Sequence, residues 1–431
     1  LSQKITRSRS YRRQNTHEYG EKPEAIGGII MTDDIDQGFK ITADILPAQV
    51  AKWAKTCAPA IRERALEAEK ARCQPLETIE ELTRSGLTRL LTPKRWGGYE
   101  LDFETAVDAI IEISKADASA GWCYSFLLIH NWFLAHYPDL AQNDVWADAP
   151  DVALADSFIP AGKVTRVAEG YRLSGDWAWV SGIDHSSWVM LAGLMPEPFV
   201  GPFGSGPHLF LLPKSDYEIK DTWFVAGLEA SGSKNVIVKN AFVPKHRVVS
   251  LGALSEGVSP GADLNTNLMY RQPLMLLFAI GLIAPIMGAV MGAYDFWCEM
   301  TRTRSTRITG LPLSAFTHQQ IRISETSAEI ASMQFVLKQI LETARIEGVT
   351  IDQRMQNHRN FAYIAQIALR AVERIYVSSG GNANYKTNPL QRFWRDIHAM
   401  TAHSAIGWDT AGETYGLHVI DQPRNPRDPY V

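Results

Sequence analysis

The 431-residue chain carries only four cysteines, Cys57, Cys73, Cys123 and Cys298, set far apart with no C-x-x-C pair. That excludes a disulfide framework or a cysteine-held zinc site, leaves no metal centre to expect, and fits a reducing, cytoplasmic compartment. A dominant charge is lacking too: 43 Lys and Arg stand against 47 Asp and Glu, so nothing in the balance points to nucleic acid. No G-x-G-x-x-G follows a strand and opens a helix. The nearest string, GPFGSGP from Gly201, is proline-bounded and runs into HLFLLP, so a nicotinamide cofactor has no dedicated fingerprint. Long apolar runs are missing with one exception, Leu274–Tyr294, which has no charged residue. It is long enough for a membrane span, but its Gly and Ala content, Pro285 and its isolation in a chain otherwise patterned for water predict a buried helix, with no membrane involved.

Three patterned blocks follow a polar start. Residues 1–30 are basic early and without periodicity, and Met31 offers a natural start, so 1–30 is expected to be a disordered extension; a transit peptide is the alternative. Residues 31–149 read as helices: Val50, Trp53, Ala54, Cys57 and Ile61 share one face from Pro47 on, and further segments are expected at Glu77–Ser85, Phe103–Ala116 and Ala118–His136. Between 150 and 255 the period becomes alternating, with short runs such as VALADSFI, YRLSGDWAWVSG and KNVIVKNAFVP broken by Gly, Pro, Asp and Ser, which predicts strands. From 256 to 431 helices return: Leu274–Tyr294, Glu325–Glu347, Asn360–Ser379 and Leu390–Tyr415 are expected to make a four-helix bundle. The class is therefore α+β, with helices, then a β-barrel or sandwich, then a bundle.

The most informative stretch is Gln391–Ser404, QRFWRDIHAMTAHS. On a helix, its two histidines, His398 and His403, diverge by roughly 140°, so they cannot both face one metal. One should be satisfied locally and the other offered to a pocket. The R-D-x-H-x-x-x-x-H pattern after an LQRFW run resembles the flavin-dependent monooxygenases built on the acyl-CoA dehydrogenase fold, of the para-hydroxyphenylacetate, secosteroid-phenol and indole hydroxylase type. Acyl-CoA dehydrogenases have a catalytic glutamate at the place of Ser404, and a lone hydroxyl is a poor base near neutral pH. The monooxygenases have a histidine one residue earlier, here His403. The order of motifs over Thr42–Val431 adds to the likeness, including the helix–turn WGG around Gly97–Gly98.

This resemblance implies an oxygenase component that takes reduced FMN or FAD from a separate NAD(P)H:flavin reductase, forms a flavin C4a-hydroperoxide with O₂ and hydroxylates a small phenolic or indolic substrate. An acyl-CoA dehydrogenase-type oxidoreductase is the rival. His403 and Ser181 would be catalytic, Ser181 at the flavin N5. Ser157, Trp179, Gly182, Arg304, Gly381 and Asn382 would join Ser181 in holding the cofactor, Arg304 at the phosphate, across a subunit boundary in a homotetramer. Trp122, His130, Asp156 and Arg271 would face the substrate. Asp156 departs from the family's usual serine. Bland readings stand beside several of these: a core histidine for His130, a turn residue for Asp156, a solvated face for the Arg302–Arg307 cluster, a helix C-cap for Ser378–Tyr385 and a surface ion pair for Arg271.

Overall fold

The computed structural model describes residues 45–196 and 206–423. The 1–30 extension and most of the Gly201–Pro207 string lie outside that range.

Five helices come first: α1 (Pro47–Ala71), α2 (Leu76–Arg84), α3 (Phe103–Ala116), α4 (Ala118–Leu134) and α5 (Asp139–Trp146). Asp102 and Asp117 start α3 and α4 by accepting the Thr105 and Ala120 backbone N–H groups at 2.9 and 2.8 Å, each satisfying an otherwise orphaned donor. Every residue of α4 is buried, which explains its aromatic content without any amphipathic stripe.

Seven strands form one mixed sheet: β1 (Leu154–Val167), β2 (Gly170–Val180), β3 (Trp188–Leu194), β4 (Pro207–Pro213), β5 (Glu218–Lys220), β6 (Lys234–Pro244) and β7 (Val248–Ser250), in the order β5-β6-β2-β1-β3-β4-β7. The expected barrel or sandwich is thus a single hydrogen-bonded sheet whose edge strands, β5 and β7, are not paired with each other among the described residues. Among the described residues only β1 and β3 run parallel. Three register shifts interrupt the described ladder, one of them between Leu173 and Gly175 of β2, and the other two border the site. The β1 register slips between Ser157 and Gly162, and that of β2 again between Trp177 and Val180. Bulges of this kind re-aim side chains, and Trp179 sits in the last with φ 64°.

The remaining helices are α6 (Leu251–Ser255), α7 (Leu274–Phe278), α8 (Ile280–Thr303), α9 (Thr317–Thr343), α10 (Ile351–Ser378), α11 (Pro389–Thr401) and α12 (Trp408–Val419). The long apolar run is α7 plus α8, broken at Ala279. In Leu274–Thr303, 89% of the most apolar window is buried inside the protein, so its apolar surface is used in packing. Gly288 shows why the run is rich in small residues: a Cβ there would sit 2.5 Å from the Ile111 carbonyl oxygen of α3. The predicted last helix, Leu390–Tyr415, is instead two. It breaks at Ala402, and His403–Gly407 form a tight turn before α12.

Candidate active site

A cavity of about 560 Å³ lies between α4, the bulged parts of β1 and β2, the turn before β6 and the end of α11. Its walls are mostly apolar, with a few polar groups, the usual make-up of a small-molecule site. Of the residues singled out from the sequence, Trp122, Asp156, Ser157, Trp179, Ser181 and His403 line it.

The break between α11 and α12 is what turns His403 inward. His403 begins the 404–406 turn, and the Ala405 N–H donates to its Nδ1 at 3.2 Å. A nitrogen that accepts carries no proton, so the neutral ring is the Nε2–H tautomer, with one donor available. Burial pushes the His403 pKa below its ordinary value, and the Asp156 charge partly opposes this, so the ring is neutral near pH 7. The rings of Trp122 and Phe278 lie 6.3 Å from it. His398 takes the bland role: its Nδ1 donates to the Trp394 carbonyl at 2.7 Å and its Nε2 lies 3.0 Å from Glu373.

Three groups support Ser181. Trp122 Nε1–H donates to its Oγ at 3.1 Å, the Ser233 hydroxyl lies 2.8 Å away, and Ser231 Oγ is 2.7 Å beyond that. If Ser181 accepts from Trp122 and Ser233, its own hydroxyl proton is directed to the cavity. Ser231 and Ser233 were missed in the sequence; the signal was the ASGS turn, where Gly232 adopts φ 55° and brings two hydroxyls together. Gly182 lines no wall. Its φ of 70° turns the chain after Ser181, and its N–H donates to the Ser231 carbonyl at 3.0 Å.

Asp156 is on strand β1, not on a loop or turn. Its Oδ1 lies 3.3 Å from His130 Nε2, an ion-pair distance without hydrogen-bond alignment, so His130 Nε2 and Asp156 Oδ2 are both buried with no hydrogen-bond partner. His130 itself does not reach the cavity. It is 1% exposed, stands behind Asp156 and donates through Nδ1 to the Leu154 carbonyl at 2.7 Å.

Arg271 is a correction. It is half exposed and pairs with Glu347 at 3.3 Å, far from lining the cavity; a positive charge next to a helix start finds a carboxylate from a neighbouring turn. Arg304, Gly381 and Asn382 do not line it either. They share one end of the bundle: the Arg304 carbonyl accepts from Leu313 N–H at 2.9 Å, and in the next helix Gln319 donates to the Ser378 carbonyl at 3.0 Å, beside the Gly380–Asn384 turn. Within one subunit the expected phosphate contacts and the ring site are therefore separate surfaces.

The arginine and aspartate of the motif are structural. Asp396 is buried and accepts from Leu228 N–H at 2.7 Å and Ser119 Oγ at 3.2 Å, while Arg392 lies 3.2 Å from Asp117. Arg395 binds the Ala226 carbonyl, Glu229 and Glu69. Together they clamp α11, and with it the His403 turn, to α1, α4 and the 226–229 loop. Burial, reinforced by Asp117, pushes the Asp396 carboxyl up to about 7. A carboxyl raised on folding takes up a proton, so its contribution is present in full below the unfolded pKa near 4 and is lost as pH rises through about 7. Melting temperatures should therefore fall between pH 5 and 8 more steeply in the parent than in Asp396→Asn; parallel curves would refute this.

Comparison with known proteins adds the context. Residues 46–148 match the model of the acyl-CoA dehydrogenase N-terminal domain and residues 280–408 that of its C-terminal domain. The chain is 36% identical to the flavin-dependent monooxygenase oxygenase subunit HsaA of Rhodococcus jostii strain RHA1, over 85% of this chain and 96% of that one. It is 34% identical to the oxygenase component of an FADH2-dependent resorcinol hydroxylase from Rhizobium, covering 83% and 91%. A crystal structure of 3-HSA hydroxylase from Rhodococcus sp. RHA1 superimposes with a TM-score of 0.83 at 34% identity, over 89% of this chain and 99% of that one.

Proposed function

Because the chain belongs to the flavin-dependent monooxygenases of the acyl-CoA dehydrogenase fold, as an oxygenase component that hydroxylates an aromatic compound with reduced flavin, we propose that the 560 Å³ cavity is where ring, flavin and oxygen meet. The observation that carries this is that His403, whose one donor is Nε2–H, and the Ser181 hydroxyl line one apolar-walled cavity, with Ser404 where acyl-CoA oxidation needs a carboxylate. The residues fit a flavin ring: the β2 bulge presents Trp179, 67% exposed, as a flat wall beside Ser181. When bound, reduced flavin supplies the two electrons that activate O₂.

The chain's own groups do the rest. Ser181, held by Trp122 and Ser233, offers a hydroxyl to the flavin ring. His403 Nε2–H offers a proton donor to the oxygen that is not transferred. Trp122, Phe126 and Phe278 exclude water and hold the ring of the substrate. Arg304, with Gly381 and Asn382, binds the flavin phosphate of a neighbouring subunit in a homotetramer. Exposed apolar side chains on the bundle, Phe335, Val377 and Ile321, support such an assembly. A separate NAD(P)H:flavin reductase in the cytoplasm supplies the reduced flavin, either FMN or FAD.

The test is to mix anaerobic protein and chemically reduced flavin with O₂ and a phenol. Hydroxylated product is expected without a reductase present; acyl-CoA should neither turn over nor bleach bound flavin. Arg304→Ala should weaken reduced-flavin binding by roughly 1.5–3 kcal/mol, the worth of a hydrogen bond to a charged group. An unchanged dissociation constant in that variant would remove Arg304 from the phosphate site, and a monomer by light scattering that still binds flavin would remove the shared interface.

A further inference from the structure

The cavity's charges say which aromatic compounds it admits, an inference that rests on the proposed role of this cavity. Among its described lining residues only Asp156 and His403 are ionisable, and there is neither lysine nor arginine. His403 is neutral, because burial lowers its pKa. Two further described groups next to the cavity can carry positive charge: Arg72, against the Trp223 carbonyl, is already paired with Asp221 at 2.6 Å, and His130 stands behind Asp156, where its position commits it. Nδ1 donates to the Leu154 carbonyl, which can only accept, so Nδ1 holds a proton. Nε2 then faces Asp156 Oδ1 at 3.3 Å. Among the described lining residues the formal charge is thus the Asp156 carboxylate, with His130 at ion-pair distance behind it.

Any positive charge on His130 is thus already matched, and an anionic ligand would find no counter-charge for a carboxylate stripped of water. At the same time Asp156 Oδ2 has no hydrogen-bond partner, a buried acceptor whose need is met when a ligand brings a donor. We infer that the cavity takes uncharged aromatic compounds carrying one hydrogen-bond donor, above all phenols whose hydroxyl donates to the Asp156 carboxylate, and rejects aromatic carboxylates. His130 acts here as a positioning residue, holding Asp156 and balancing its charge from behind.

The test needs no flavin and no turnover, because Trp122, Trp179 and Trp223 line the cavity and their fluorescence reports occupancy. The protein is titrated with 4-ethylphenol, its methyl ether 4-ethylanisole, 4-hydroxyphenylacetate and indole, with calorimetry as a check. The parent should bind 4-ethylphenol at least about tenfold more tightly than either the ether or the acid, the size expected from one unmet buried acceptor or one uncompensated charge. Asp156→Asn, which removes the negative charge from the cavity wall, should narrow the gap to the acid, and Asp156→Ala should close the gap to the ether. Indole binding as tight as that of the phenol would still support a donor requirement, since its N–H can meet Asp156. The inference is overturned if the parent binds 4-hydroxyphenylacetate or the ether as tightly as the phenol, a result that needs no variant to fold. If no ring compound binds yet reduced flavin and O₂ still hydroxylate one, the cavity assignment is wrong; if hydroxylation is absent while the phenol preference holds, the preference stands and the oxygenase reading of the cavity falls.

Discussion

His403→Ala is expected to lower hydroxylation by about 10²–10⁴-fold, the usual cost of losing one positioned proton donor, while reduced-flavin affinity stays at the parental level. Oxygen uptake should continue, with the electrons leaving as hydrogen peroxide. The reason is local. The Ala405 N–H fixes the His403 tautomer, burial keeps the ring neutral and Nε2–H is left as the donor of a ring that lines the cavity, so alanine removes the donor without touching Ser181 or Trp179. His403→Gln, which can present an N–H from a similar place, should recover part of the coupling. Peroxide and product, measured together in single turnovers, separate this from a folding defect: coupling equal to the parent's would take His403 out of the chemistry.

The second large effect is on stability. Asp117 caps α4 through Ala120 N–H and lies 3.2 Å from the buried Arg392. Burial raises its carboxyl pKa, and Arg392 partly opposes this. Asp117→Ala leaves the guanidinium without a partner and an amide uncapped, a combined loss of about 3–5 kcal/mol. Urea unfolding should show the midpoint falling sharply with the slope unchanged. Asp117→Asn, which keeps the cap, should lose less. A loss under about 1 kcal/mol, typical of a solvent-exposed pair, would mean that the α4–α11 clamp contributes little and that the His403 turn is held by other contacts.

These two sites differ in how visible they were in the sequence. The change of period at Pro150 revealed the helix–sheet–helix order because alternation and 3.6-residue periodicity are local properties. His403 was found by its place relative to Arg395 and Asp396, and Trp179 and Ser181 by a short strand motif. Three things could not be read from local pattern. The pairing of His130 with Asp156 depends on α4 lying against β1, so an expected wall residue proved to stand one layer behind the wall. The Ser231–Ser233–Ser181 hydroxyl chain depends on a turn meeting the end of β2 from a distant part of the chain. Arg271 looked significant because a cation at a helix start is unfavourable, yet the partner that resolves it, Glu347, lies in the turn between α9 and α10. The helix expected over Leu390–Tyr415 failed in an instructive way. The helix ends at Ala402 and His403 caps a separate turn before α12, and that break is what delivers the histidine to the cavity.

Oxygen transfer to an aromatic ring inside this cavity is the central claim, and isotope labelling tests it most directly. Protein loaded with chemically reduced flavin and an uncharged phenol is exposed to ¹⁸O₂, and the product is weighed by mass spectrometry. One ¹⁸O atom on the ring of each product molecule is predicted, with yield collapsing in His403→Ala. Product oxygen drawn from water, or peroxide with no ring product from any phenol that binds the cavity, would contradict it.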